Sequence, residues 1–372
     1  MAALFRIALV GPLPPPSGGM ANQTRQLAQL LQQAGAQVEV VQVNAPYQPR
    51  WIGSIKGLRA LFRLVPYLLR LWQAAGKAEL LHIMANSGWS WHLFAAPAVW
   101  MGKLRGKAVV VNYRGGEADV FLEKSLTWVR LSLRHADVLL VPSAFLEQVF
   151  AKYGYTSRIV PNIIDLARFA PAAQTSVSPD MRHPHIVVAR NLEPIYDNAT
   201  ALRAFAIVRQ QVPAARMTIA GSGPERQSLA HLAHTLGITD VVTFSGRLEN
   251  EHMAALYHSA QIVVNPSLAD NMPISVLEAL ASGVPVVSTD VGGVPYLVTH
   301  EKTALLVPAQ NPDAMAHALL RLLEDAALAQ RLSEAGLSLA QQFSWPNVRE
   351  ALFDAYRVAL ASAAPASIAQ CK

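Results

Sequence analysis

Asn265-Pro-Ser-Leu-Ala-Asp270-Asn-Met-Pro-Ile-Ser-Val-Leu-Glu278-Ala-Leu-Ala-Ser-Gly283-Val-Pro285-Val-Val-Ser-Thr-Asp290-Val-Gly292-Gly293 reads as the end of an apolar strand, a loop, a helix, a glycine stop, a second apolar strand and a glycine loop. The amides of Asn271, Met272, Pro273 and Ile274 fall at the expected helix N-terminus, aimed at an anion or hydroxyl. Glu278, one turn into that helix, can accept two hydrogen bonds from a vicinal diol such as a ribose.

The same alternation extends in both directions. Strands are expected at Arg6–Val10, Val38–Val43, Leu80–Met84, Ala108–Tyr113 and Val138–Val141, with a helix from about Asn22 to Ala34 that Gly35 stops. A segment of prolines and Ser, Thr and Gln without apolar periodicity, 171–185, reads as a linker. The rhythm restarts with strands at Ile186–Val188, Arg216–Ala220, Val241–Phe244, Gln261–Asn265, Val284–Ser288 and Ala304–Val307, and helices at Asn198–Gln211 and Arg226–Leu236. This βαβ pattern predicts an α/β chain of two Rossmann-like, doubly wound domains facing each other across a cleft. The expected boundaries are 1–170, linker 171–185, 186–344, and a last helix with a frayed tail over 345–372.

Of the 372 residues, 52% are hydrophobic and 15% charged, which excludes a disordered chain. A single cysteine, Cys371, excludes an intrachain disulfide framework and fits a reducing compartment. Arg6 interrupts the apolar stretch Leu4–Val10, so no secretory signal is read there, and Trp89–Met101 is too short to span a bilayer. Residues 1–170 carry 18 Lys/Arg against 8 Asp/Glu, and residues 171–372 carry 13 against 17, so the net charges are +10 and −4. A basic first half suits an anionic partner.

Two further glycine loops could meet a phosphate. Gly11-Pro-Leu-Pro-Pro-Pro-Ser-Gly18-Gly19 precedes the first helix, and Gly221-Ser-Gly223-Pro-Glu-Arg226 follows a strand. Neither has the G-x-G-x-x-G spacing of a dinucleotide-binding dehydrogenase. In the second, tight-turn packing is the favoured reading.

The segment 265–293 resembles the motif of retaining family-4 glycosyltransferases with the GT-B fold: a carboxylate, seven residues, Glu, then a small-Gly-x-Pro-Val-Val strand and a Gly-Gly turn. Ser17-Gly18-Gly19, Val160-Pro161-Asn162-Ile163-Ile164-Asp165, Arg190-Asn191-Leu192, Ile219–Glu225 and Val242–Gly246 resemble the same family in order. The resemblance implies a nucleotide-sugar donor in the C-terminal domain, a hydroxyl acceptor on the N-terminal side, and a last helix, about Trp345–Ala361, that returns toward the N-terminal domain. By position, Glu278 would bind the ribose, Asp270 and the 271–274 amides the donor sugar and diphosphate, and Arg190 the diphosphate as it departs. Gly18 and Gly19 would close over the phosphate, and backbone near Arg247 and Leu248 would meet the base. No metal is expected, because cations and helix N-termini can stabilise the leaving group.

This chain departs from the family pattern at three positions. Asp270 stands where Glu is usual, Ile195, next to Tyr196, stands where a lysine is common, and Asn112-Tyr113-Arg114-Gly115-Gly116 replaces a motif containing histidine. Arg114 could supply the missing positive charge, or could be a structural arginine paired with Glu117 or Asp119. The missing positions keep a non-catalytic nucleotide-sugar-binding protein open, and a GT-B epimerase is the other alternative.

Within 50–73, Lys56, Arg59, Arg63 and Arg70 fall within about 60° on a helical projection, with a kink or split expected at Pro66. This stripe reads either as a contact for anionic lipid near a lipid-linked acceptor or as a packed helix with a solvated arginine face. Nucleic-acid binding is disfavoured, since no aromatic-basic groove accompanies the charge. The expected location is cytoplasmic, peripheral at the inner face of the plasma membrane.

Overall fold

A computed structural model describes residues 4–16, 18–47, 58–171 and 183–363. Ser17, most of the expected linker, Lys56 and the segment around it, and the tail with Cys371 lie outside the described residues. The chain forms two compact units, one of residues up to Pro161 together with those from Val348 onward, the other of Asn162–Asn347.

In the first unit the elements run β1 (Arg6–Gly11), α1 (Gly19–Gln33), β2 (Gln37–Gln42), α2 (Leu58–Lys77), β3 (Leu80–Ala85), α3 (Ala96–Leu104), β4 (Ala108–Tyr113), α4 (Ala118–Leu133), β5 (Val138–Val141), α5 (Ala144–Lys152) and β6 (Arg158–Ile159). All pairings are parallel, in the order β2-β1-β3-β4-β5-β6. β3 and β4 are buried at every position, as central strands covered on both faces must be. Helix α1 begins three residues earlier than the periodicity suggests, with Gly18 as its N-cap and the Asn22 amide on the Gly18 carbonyl. Gly35 ends the turn at φ +91°, where a side chain would be strained. Helix α2 runs through Pro66 without the expected split.

The second unit contains β7 (His185–Val188), α6 (Asn198–Gln211), β8 (Arg216–Ala220), α7 (Arg226–Thr235), β9 (Val242–Gly246), α8 (Asn250–His258), β10 (Ile262–Asn265), α9 (Ile274–Ala281), β11 (Val286–Thr289), α10 (Val294–Leu297), β12 (Leu305–Val307), α11 (Pro312–Glu324) and α12 (Ala326–Gln341). The sheet order is β12-β11-β10-β7-β8-β9, again all parallel. Counted within the unit this is 3-2-1-4-5-6, the order of a dinucleotide-binding fold. The last helix, α13 (Trp345–Ala363), packs Phe353 and Tyr356 edge-on against Phe5 of the first unit, with ring centroids 5.3 and 5.5 Å apart.

Candidate active site

In a doubly wound sheet, ligands bind outside the carboxyl ends of the strands, where the strand order reverses and two neighbouring loops diverge. In the second unit that point lies between β7 and β10. Arg190 follows β7 and Ser267–Asp270 follows β10, so the sheet brings together residues 80 positions apart. The Arg190 guanidinium pairs with the Asp270 carboxylate, with the two side chains only 9% and 13% exposed. It also donates to Ser267 Oγ at 2.9 Å and to Ser275 Oγ at 3.3 Å, and lies over the Tyr196 ring at 4.2 Å. Its buried Nε has no hydrogen-bond partner. Arg190 is thus a cation compensated by Asp270 whose Nε–H is not engaged. Tyr196, on a short turn Pro194–Tyr196, occupies the flank beside Ile195.

The Asp270 carboxylate is shared. Ser267 Oγ lies 3.3 Å from its Oδ2, and the Asn271 amide donates to Oδ1 at 2.9 Å. The expectation for the 271–274 amides therefore needs correction. Asn271 spends its amide on Asp270. Pro273 is the N-cap of α9 and has no N–H to give. Met272 is buried, its carbonyl accepting from Asn162 Nδ2 at 2.8 Å and its sulfur facing the Asn162 amide at 3.3 Å. In the first turn of α9 the Val276 amide already donates to the Pro273 carbonyl at 3.1 Å, so Ile274 and Ser275 carry the amides that helix geometry leaves without an intrahelical partner.

The glycine loops act on this site from behind. A Cβ on Gly293 would lie 1.8 Å from the Asn271 carbonyl oxygen, and the Gly293 amide donates to the Asp270 carbonyl at 2.9 Å. A Cβ on Gly221 would lie 2.0 Å from the Arg190 carbonyl oxygen. Both loops press backbone on backbone, fixing Arg190 and Asp270 from below. For Gly221-Ser-Gly223, close packing is the observed role.

Glu278 lies on the second turn of α9 and accepts a hydrogen bond from Tyr257 Oη at 2.9 Å. Burial pushes its carboxyl up to about 7, opposed by the Tyr257 hydrogen bond and the charge of Arg168. Burial, followed by the neighbouring carboxylate, pushes the Tyr257 phenol far above its ordinary range. Arg247 and Leu248 follow β9, the edge strand two positions from β7, and Arg247 is exposed. They are not gathered into the Arg190–Asp270 cluster. Ser267, Ser275, Tyr196, Tyr257 and Asn162 complete the cluster, and the linear pattern assigned none of them to it. The only hint was position, since Ser267 precedes Asp270 by three residues in one loop and Tyr196 adjoins the departure at Ile195.

In the first unit, Gly18, the N-cap of α1, has an extended backbone and open space where a side chain would be. Arg114 follows β4. Its Nε donates to Asn112 Oδ1 at 3.2 Å, which leaves Asn112 Nδ2 to donate to His82 Nε2 at 3.0 Å. His82 then carries its proton on Nδ1 and donates to Tyr356 Oη at 2.8 Å. Burial, then the charge of Arg114, pulls His82 down to about 3, and burial pulls Arg114 to about 10. The suggested pairing with Asp119 does not form, because Asp119 is taken by Lys152 at 2.9 Å and Tyr153 at 2.8 Å.

Two family models match consecutive stretches: the glycosyltransferase family 4 model covers residues 17–168 and the glycosyl transferases group 1 model residues 174–338. The chain belongs to the family-4 glycosyltransferases and has the GT-B fold. It is 33% identical over 218 residues to a D-inositol 3-phosphate glycosyltransferase of Saccharomonospora viridis, covering 55% of this chain and 51% of the relative. It is 30% identical over 237 residues to a GDP-mannose-dependent alpha-(1-6)-phosphatidylinositol monomannoside mannosyltransferase of Mycobacterium tuberculosis, covering 59% and 62%. The matches thus span half to three fifths of those proteins. Among solved structures, a sucrose-phosphate synthase from Thermosynechococcus elongatus shares the fold with a TM-score of 0.74 at 23% identity, over 96% of this chain and 99% of that one. HepE of Anabaena, in complex with UDP and glucose, shares it with a TM-score of 0.73 at 17% identity, over 95% and 99%.

Proposed function

We propose that this protein transfers a sugar from a nucleotide-sugar donor to a hydroxyl acceptor, with retention, in glycolipid or polysaccharide assembly. The observation that carries this reading is the Arg190–Asp270 pair held at the strand-order switch, with the α9 N-terminus and Glu278 on the same segment. In that site the departing nucleoside diphosphate gains negative charge. Arg190, with its unpartnered Nε, and the first amides of α9 stabilise that charge, and fixed donors need no reorganisation as it develops. When ionised, Glu278 accepts the ribose hydroxyls through the oxygen Tyr257 leaves free. In the first unit, Gly18 and Gly19 at the start of α1, and Arg114 steadied by Asn112 and His82, are the candidate anion contacts. Arg247 and Leu248 receive the base.

No divalent ion is required in this scheme. Among the described residues no group of three or more His, Cys, Asp or Glu side chains is placed to hold a metal. The acceptor is a lipid-borne hydroxyl at an anionic membrane surface, in line with the phosphatidylinositol mannoside acceptor named for one relative. The enzyme works from the cytoplasmic side. No helix among the described residues is long and apolar enough to cross a membrane.

The test is mass spectrometry of lipid extracts incubated with purified protein and single nucleotide sugars, with and without EDTA. A donor-dependent mass increment on an acceptor, unchanged by EDTA, is expected. A change in the donor alone would point to an epimerase, and binding without turnover to a non-catalytic protein. Activity abolished by EDTA and restored by a divalent ion would overturn the metal-free scheme.

A further inference from the structure

The exposed apolar side chains are unevenly distributed. Of the fourteen large exposed hydrophobics among the described residues, nine lie on α2, α3 and α4. These helices form one layer. The steps β2 to β3, β3 to β4 and β4 to β5 cross the sheet in one direction, so right-handed crossovers put all three on the same face, and α2 packs on α3 and α3 on α4.

Of the arginine stripe suggested by the sequence, Lys56 and the Arg59 side chain lie outside the described residues and Arg70 is exposed, but Arg63 is turned aside and apolar side chains share the outward face of α2. Arg63 lies over the Tyr47 ring at 4.1 Å, while Phe62, Val65, Leu69 and Trp72 point to solvent. The neighbouring helices continue this apolar surface. α3 exposes Trp100 and Leu104 (40% and 75%), and α4 exposes Trp128 and Leu131 (69% and 41%). Two contacts join them into one surface: Arg105 lies over Trp72 at 4.4 Å, and Trp100 packs on His135 at 4.5 Å.

Charge follows the same geometry. Between Val40 and Gly116 there are ten Lys/Arg and one acid, Glu79, which is engaged by Arg6. On and beside α4 the acids Glu117, Asp119 and Glu123 sit at the N-terminal end, and Arg130 and Arg134 at the other. Each helix runs back against its strands, so Trp72, Trp100, Trp128 and the cations Arg105, Arg130 and Arg134 gather toward the amino edge of the sheet. Gly18 and Arg114 occupy the opposite, carboxyl edge. A row of tryptophans and leucines interleaved with arginines fits the headgroup boundary of an anionic bilayer. The indoles lodge among headgroups, the leucines reach the acyl boundary, and the guanidiniums meet lipid phosphates.

We infer that the outer face of α2, α3 and α4 docks on an anionic phospholipid bilayer by shallow insertion of this tryptophan–leucine row. The inference deepens the lipid-acceptor reading above by naming the surface that brings the enzyme to its acceptor. It is tested without donor or acceptor, so its failure and the failure of glycosyl transfer are separable.

The experiment is flotation of the full chain on vesicles of phosphatidylglycerol and phosphatidylcholine, compared with phosphatidylcholine alone. The wild type is set against a Leu69→Gln, Leu104→Gln, Trp128→Gln triple variant. These are the most exposed apolar positions of the three helices and none takes part in the ring contacts, so the melting temperature should be unchanged. The wild type is expected to float with anionic vesicles, with a blue shift of tryptophan emission, and much less with neutral ones. The triple variant should lose about tenfold or more in partitioning, because each apolar side chain withdrawn from water contributes a factor of several. Equal flotation of the two proteins, or no flotation of the wild type, would overturn the inference. Self-association of the wild type that the triple variant loses, without vesicle binding, would also overturn it and assign the face to a second copy of the chain.

Discussion

Tyr257→Phe isolates the chemistry of Glu278 with the smallest structural change, since it removes one hydroxyl from a fully buried ring. Burial has already raised the Glu278 carboxyl to about 7, and the Tyr257 hydrogen bond holds it from rising further. A hydrogen bond to a charged group contributes roughly 1.5–3 kcal/mol, which at 1.36 kcal/mol per pH unit moves the midpoint up by about 1–2 units. At pH 7 the wild-type carboxyl is about half ionised, and in the variant only about a tenth to a hundredth is. If the carboxylate is what holds the ribose, nucleoside diphosphate affinity at pH 7 should fall about 5- to 50-fold. It should recover above pH 9, where the variant also ionises. Isothermal titration of UDP and GDP into both proteins from pH 6 to 9.5 reads this directly, and the nucleotide's own phosphate titrates in both and cancels in the ratio. Superimposable pH profiles for wild type and variant would refute the reasoning.

Arg190→Ala should lower kcat by about 10²–10³, the range for loss of one preorganised oxyanion donor, with Lys restoring only part because it lacks the two-pronged geometry. Because that change strands a buried carboxylate, Arg190→Met with Asp270→Asn should recover the melting temperature without recovering kcat; recovery of both would refute the electrostatic role. Gly293→Ala puts a methyl against the Asn271 carbonyl and should cost about 1–3 kcal/mol in urea unfolding while weakening nucleotide binding. His82 is neutral in the fold to about pH 3 but titrates near 6.5 when unfolded. Its contribution is therefore lost as pH falls from about 6.5 toward 3, and urea unfolding of His82→Gln should show a shallower acid slope. Glu278, with its raised value, acts in the opposite sense: stability is lost as pH rises from about 4.5 to 7, a slope that Glu278→Gln should remove.

The sequence by itself determined what depends on local pattern. Fully apolar runs such as Ala108–Tyr113 form buried parallel strands, Gly35 stops α1, and the spacing from Asp270 to Glu278 places both on one loop-helix segment. It also marked Arg190 and Asp270 as separate candidates, and it located the Gly292-Gly293 turn. Tertiary structure decided how these act on one another. The strand order β10-β7 puts residues 80 apart in one ion pair, so that Arg190 is a compensated cation. The Gly293 loop presses on Asn271, a contact between segments more than twenty residues apart. Tyr257 entered the site from α8, and Arg63 turned inward to Tyr47, leaving an apolar face outward on α2. Local spacing fixes which side of its own element a residue occupies, whereas the partner it meets depends on strand order and helix packing. Those are set by burial summed over the whole sheet, and no short stretch of sequence encodes that sum.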